Sequence, residues 1–167
     1  MESYKELALE LVETISKEAG VEPPKVKFIS ECDAYYDYDT KEVVLPEDIK
    51  CAEYLAGGDV STLDKYLVTV VHETFHYLTD VTGKVNDPSI LEDPWINERL
   101  STLCKKIFEG EKVFGDSEEL QKREERLCLG EAWAWWFTKE FIRDWGICVD
   151  VKDLGDVIMQ SPELYKC

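Results

Sequence analysis

Histidine is nearly absent from this chain: there are two among 167 residues, His72 and His76. A site built on three or more imidazoles is therefore excluded. Cations are scarce as well, with 19 Lys and Arg against 36 Asp and Glu and a formal net charge of −17. Nucleic acid and anionic membranes both call for clustered Lys and Arg, so neither is expected as a partner. No apolar run approaches the length of a bilayer-spanning helix. Met1-Glu2-Ser3-Tyr4-Lys5-Glu6 lacks the basic-then-apolar order of a secretory signal, so the expected location is cytoplasmic. The six cysteines (Cys32, Cys51, Cys104, Cys128, Cys148 and Cys167) form no CxxC, which argues against a site of zinc-finger type. In a reducing cytosol they are expected mostly as partly buried thiols; disulfides become credible in a hyperthermophile. Internal repeats and low-complexity segments are also lacking.

What is present is concentrated. Both histidines stand in His72-Glu73-Thr74-Phe75-His76, an HExxH pentapeptide. A helix advances about 100° per residue, so the two imidazoles lie one turn apart on one face, able to reach a single ion. Imidazole nitrogens suit zinc, and Glu73 beside them can take a proton from a water that the metal has acidified. Such a motif is informative only on a buried helix. That context is expected here: Ser61 is an N-cap candidate, and no Pro or Gly intervenes before Gly83. Leu63, Leu67, Val68, Val70, Val71, Phe75 and Leu78 cover most of the helix circumference, predicting burial on more than one side. The bland alternative is a pair of core histidines satisfied by hydrogen bonds.

The rest of the chain reads as one α+β domain over residues 1–167. A helix over Ser3–Lys17, with Leu7, Leu11, Val12 and Ile15 inward, precedes three short strands at Lys25–Ser30, Ala34–Tyr38 and Lys41–Leu45. Their spacing predicts a small antiparallel β-meander packed on the motif helix. A polar loop at Lys84–Asp93 leads to helices over Pro94–Glu109 and Ser117–Trp145, so the C-terminal half is mainly helical. The tail is mixed, with Ile147–Val151 extended.

A catalytic zinc site needs a third protein ligand, and with no histidine left the expected type is a carboxylate. Glu98 and Glu131 are the candidates. On a helix over residues 94–109, Ile96, Leu100, Leu103, Cys104 and Ile107 share a side and Glu98 falls opposite, toward solvent. On the 117–145 helix, Glu131 sits within an apolar stripe of Leu120, Leu127, Ala134, Trp135, Thr138, Ile142 and Trp145. A carboxylate there needs a partner or a metal. Glu131 is therefore the expected third ligand and Glu98 the alternative. A salt bridge from Glu131 to Arg123 or Arg99 is the competing explanation. Gly130, Ala132 and Ala134 are small enough for close approach to the motif helix. Asp80, one turn past His76, suits a bond to an imidazole N–H.

A strand cluster, an HExxH helix and a later Glu-bearing helix together resemble the gluzincin metallopeptidases, and in size the minigluzincins. Glu131-Ala132-Trp133-Ala134-Trp135 resembles the Glu-Ala helix of ImmA/IrrE-type peptidases, whereas Asn97-Glu98 is similar to the Asn-Glu pair of thermolysin-like and aminopeptidase families. The resemblance implies a zincin-like fold, one Zn2+ ion, a peptide or protein substrate, and Glu73 as general base. It further implies strand addition of substrate at an edge strand, expected at Lys41–Leu45. Minigluzincins are held inactive by their own C-terminal segment; residues 161–167 would take that part here, with Cys167 a possible thiolate ligand. A non-catalytic, zinc-stabilised regulatory or partner-binding module is the alternative function. The sequence fixes no oligomeric state.

Overall fold

The computed structural model describes residues 3–52, 61–147 and 154. Within them lie five α-helices and a small three-stranded mixed sheet, an α+β arrangement that is mostly helical. Helix α1 (Ser3–Glu18) buries Ala8, Val12, Ile15 and Ser16, a stripe at helical spacing. Leu7, expected inward, is 42% exposed. Gly20 follows the helix in the left-handed region (φ 71°).

The strands are β1 (Lys25–Ile29), β2 (Tyr35–Asp37) and β3 (Glu42–Pro46), in the order β1-β3-β2. This corrects the expected antiparallel meander. Strands β2 and β3 form the antiparallel hairpin, with Tyr36 opposite Val43. Its turn is held by Asp37 Oδ1, which accepts from the backbone of Asp39 and Thr40, while Lys41 takes a positive φ of 60°. Strand β1 instead pairs in parallel with β3, Val26 against Val43, so the 30–34 connection crosses the end of the sheet. The physical reason lies in β3 itself. Val43, Val44 and Leu45 are consecutive and all buried, the signature of a strand covered on both faces, and such a strand belongs in the centre. The expected edge at Lys41–Leu45 is thus overturned, because both sides of β3 are already hydrogen-bonded.

The motif helix is α2 (Thr62–Val81), capped by Ser61, whose hydroxyl accepts from the Asp64 amide. It runs through the core, burying residues 68–74 and 76–79 without a break. The single helix expected over 94–109 is two: α3 (Pro94–Arg99) and α4 (Thr102–Phe108). Leu100 and Ser101 are extended at the break, and the Ser101 hydroxyl caps α4 through the Cys104 amide. Leu154 explains the interruption. Its amide donates to Arg99 O and its carbonyl accepts from Ser101 N, a parallel bridge that satisfies the backbone groups the broken helix releases. Helix α5 (Glu118–Phe141) is shorter than the expected 117–145; a 3-10 turn, Arg143–Trp145, and Gly146 at φ 73° complete the stretch. Most of the Ile147–Val151 segment, and Ser161–Cys167, fall outside the described residues.

Two apolar clusters result. One joins α1, the sheet and α2; the other joins α3, α4 and α5, and Trp135 packs against both. At Gly130 α5 approaches the site closely: a Cβ there would lie 2.9 Å from Tyr38 Oη and 3.7 Å from His76 Nδ1. Gly130→Ala gains about 1 kcal/mol of helix propensity but incurs about 1–3 kcal/mol of overpacking. The expected net effect is a modest fall in Tm, measurable by calorimetry. In a Tyr38→Phe background, where the hydroxyl is gone, the same change is expected to raise Tm instead. None of the described helices is long and apolar enough to cross a membrane.

The cysteines also depart from expectation. Cys32, in the β1–β2 connection, and Cys51, in the 3-10 turn after β3, form a disulfide. Thiols were expected because nothing in the sequence spacing reveals that the crossover returns the 30–34 connection to the turn after β3.

Candidate metal centre

Helix α2 carries His72 and His76 to its α5-facing side, and α5 carries Glu131 to meet them. His76 Nε2 lies 2.9 Å from Glu131 Oε1, His72 Nε2 lies 3.4 Å from Glu131 Oε2, and the two Nε2 atoms are 3.1 Å apart. All three donors fall within 4.8 Å of one another, and all are buried or nearly so. The spacing fits an ion. Ligand bonds of about 2.0–2.1 Å in a tetrahedron place donor atoms about 3.3 Å apart. Hydrogen bonding accounts for the arrangement less well, since two ring nitrogens and a carboxylate converge with at most one proton for each ring nitrogen. His72 Nδ1 is in addition buried with no hydrogen-bond partner. That leaves a polar atom unsatisfied whether or not Nε2 of the same ring binds an ion.

The charges respond to this crowding. Burial by itself would raise the Glu131 carboxyl, but His76 and His72 more than offset it and hold it well below the usual carboxylate range. Burial likewise opposes protonation of His76; Glu131, Glu73 and Asp80 together outweigh it and raise the imidazole. For His72 burial wins, and its pKa is lowered. Glu73 is 6% exposed. Burial pushes it up to about 8, with His76 opposing and Glu131 and Asp33 adding to the rise. A divalent cation beside it would pull that value down, toward a carboxylate ionised at neutral pH.

Those directions give a testable pH dependence for chelator-stripped protein. Folded Glu73 keeps its proton up to about pH 8, whereas in the unfolded chain it loses it near 4.5, so the native state binds more protons in between. Stability must then fall as pH rises through that window. His76, also raised, acts in the same sense above its unfolded value of 6.5, while lowered His72 removes stability as pH falls below 6.5. Thermal melts of stripped protein are expected to show a lower Tm at about pH 8.5 than at about pH 5.5, and Glu73→Gln is expected to flatten most of the difference. A wild-type Tm that rises across this interval would contradict the assigned burial of Glu73.

Glu98 stands elsewhere. Its side chain is 75% exposed and pairs with Arg99, so it is not brought to the histidines. The two arginines that could have paired with Glu131 are engaged elsewhere: Arg99 donates to Trp95 O, and Arg123 lies beside Glu124. Asp80 does not meet an imidazole N–H as expected. Its carboxylate accepts from Tyr36 Oη and Lys41 Nζ, both at 2.6 Å, and faces Arg126 at 3.9 Å. The hairpin thereby draws it toward the sheet, and Tyr38 Oη instead approaches His76 Nδ1 at 3.3 Å. Trp135 lies over the other imidazole, with its ring 4.0 Å from that of His72. Sequence reasoning missed both aromatics as site residues. Trp135, one turn after Glu131 on the same face, carried a signal; Tyr38 carried none, because the strand order decides where it points.

No family model, no curated protein and no solved structure matches this chain. The site must be interpreted from its own chemistry.

Proposed function

We propose that the protein is a zinc-dependent peptide hydrolase of gluzincin type on a zincin-like scaffold. The observation that carries the reading is the convergence of His72 Nε2, His76 Nε2 and the Glu131 carboxylate within 4.8 Å, with Glu73 next in sequence to His72. Two imidazoles and one carboxylate form a donor set suited to a catalytic Zn2+, leaving a fourth position open. When bound, the ion supplies Lewis acidity toward a peptide carbonyl and lowers the pKa of a bound water to about 7.

The chain's own residues do the rest. Glu73 accepts the attacking water's proton on its carboxylate and returns a proton to the leaving amine nitrogen. Tyr38, against His76 Nδ1, keeps that imidazole's Nε2 directed at Glu131. Trp135 restricts solvent over His72. With β3 central, strand addition of an extended peptide falls to the outer edge of β2; Tyr36 within that strand and Tyr38 just after it reach α2. The test is incubation of zinc-loaded protein with a denatured protein substrate. Fragments that disappear with a chelator are expected.

One observation favours a second reading, a latent or non-catalytic zinc-stabilised module: His72, Glu73 and His76 are each less than one-tenth exposed. Zinc-loaded protein that cleaves nothing, with or without residues 161–167, would support that alternative.

A further inference from the structure

A second pair of sulfurs lies in the cluster formed by α3, α4 and α5. Cys104 is in α4 and Cys128 in α5; both are buried, at 1% exposure each. Their Sγ atoms are 2.7 Å apart. Non-bonded heavy atoms sit best at about 3.5–4.0 Å, and sulfur is larger than carbon. A bonded pair would lie at about 2.0 Å. The observed separation is closer to the bonded distance, and a core that forces two thiols this near has placed them for a bond.

We infer that Cys104 and Cys128 form a redox pair that closes into a disulfide, fastening α4 to α5. The position is one where a cross-link matters. Helix α4 has seven residues, too few to persist alone. It begins at the break over Leu100 and Ser101 and ends before an exposed stretch that includes Val113 and Phe114. Its attachment depends on Leu103, Cys104 and Ile107, all buried against α5. Cys128 is one turn before Glu131, so the bond would also anchor the segment of α5 that presents the carboxylate. The chain already forms one disulfide, Cys32–Cys51, on the sheet side, so it can mature where thiols are oxidised.

The chemistry balances with a small-molecule disulfide such as oxidised glutathione as oxidant. One cysteine thiolate attacks it, breaking its S–S bond, forming a mixed disulfide and releasing one glutathione thiolate. The second cysteine, as thiolate, then attacks the protein sulfur of that intermediate and releases the other. Two protein thiols give up two electrons to the glutathione disulfide, and their two protons end on the released thiols. Because both sulfurs are buried in the folded chain, the exchange takes place during folding, before α4 closes on α5.

The test uses the full chain, folded in a reduced and oxidised glutathione buffer and then acid-quenched. It is unfolded, its remaining thiols are blocked with a maleimide, and it is digested with trypsin without reduction. Cleavage after Arg99 and Lys105 releases residues 100–105, and cleavage after Arg126 and Lys139 releases 127–139. These two peptides are expected as one linked species that separates on reduction. Recovery of both as maleimide adducts, or of either linked to Cys148 or Cys167, would overturn the inference. A second readout guards against misfolded variants. Reductant is expected to lower the wild-type Tm by roughly 10 °C more than that of Cys104→Ala or Cys128→Ala. Equal shifts in wild type and variants would count against the bond.

Discussion

Replacing Glu73 by Gln is expected to lower peptide hydrolysis by about 10²–10⁴-fold while leaving zinc bound, the range that a positioned acid–base group contributes. The separation of these two effects follows from the site. Glu73 is on the motif helix beside His72, but it is not one of the three donors that converge. Gln keeps its shape and size and lacks only the capacity to take a proton. Binding of a peptide should change little, so the loss belongs in kcat more than in KM. Undiminished turnover in the variant would remove Glu73 as the base. A parallel loss of zinc would instead indicate that its charge supports the centre.

Removal of Glu131 is expected to have the largest effect on stability. A ligand that binds only the folded state stabilises it by RT ln(1 + [L]/Kd), about 4 kcal/mol when free zinc is a thousandfold above Kd. For a chain of this size that corresponds to a Tm rise of roughly 10 °C. Wild type should show the rise on zinc addition, and Glu131→Ala should lose nearly all of it. The variant also leaves His72 and His76 facing each other in the core without their carboxylate partner, so its Tm without zinc should fall as well. Glu131→Gln, which keeps the volume, separates packing from charge.

Much of the site was legible because it is written in local periodicity. The spacing of His72 and His76 places them on one helical face, and helical phase singles out Glu131 because it lies within an apolar stripe. The same reasoning put Glu98 toward solvent, where it lies, although the helix used for it is broken at Leu100. What failed was non-local. Leu100 leaves the helical conformation because Leu154 pairs with its neighbours' backbone, and no window around residue 100 contains that information. Three short strands in succession suggest a meander; the parallel pairing of β1 with β3 depends on a crossover that the turn residues do not encode. Val43-Val44-Leu45 did carry a signal, since an unalternated apolar run marks a strand covered on both faces. The Cys32–Cys51 bond and the approach of Tyr38 to His76 both follow from that topology, so they were missed with it.

The measurement closest to the central claim is the metal content of purified wild type beside Glu131→Ala and Glu98→Ala, each equilibrated with limiting zinc and dialysed. Wild type and Glu98→Ala are expected to retain about one zinc per chain, and Glu131→Ala to retain little, with its affinity down by more than the roughly 10–100-fold that loss of an outer-shell partner costs. Equal zinc in all three, or zinc in none, would contradict a centre built from His72, His76 and Glu131.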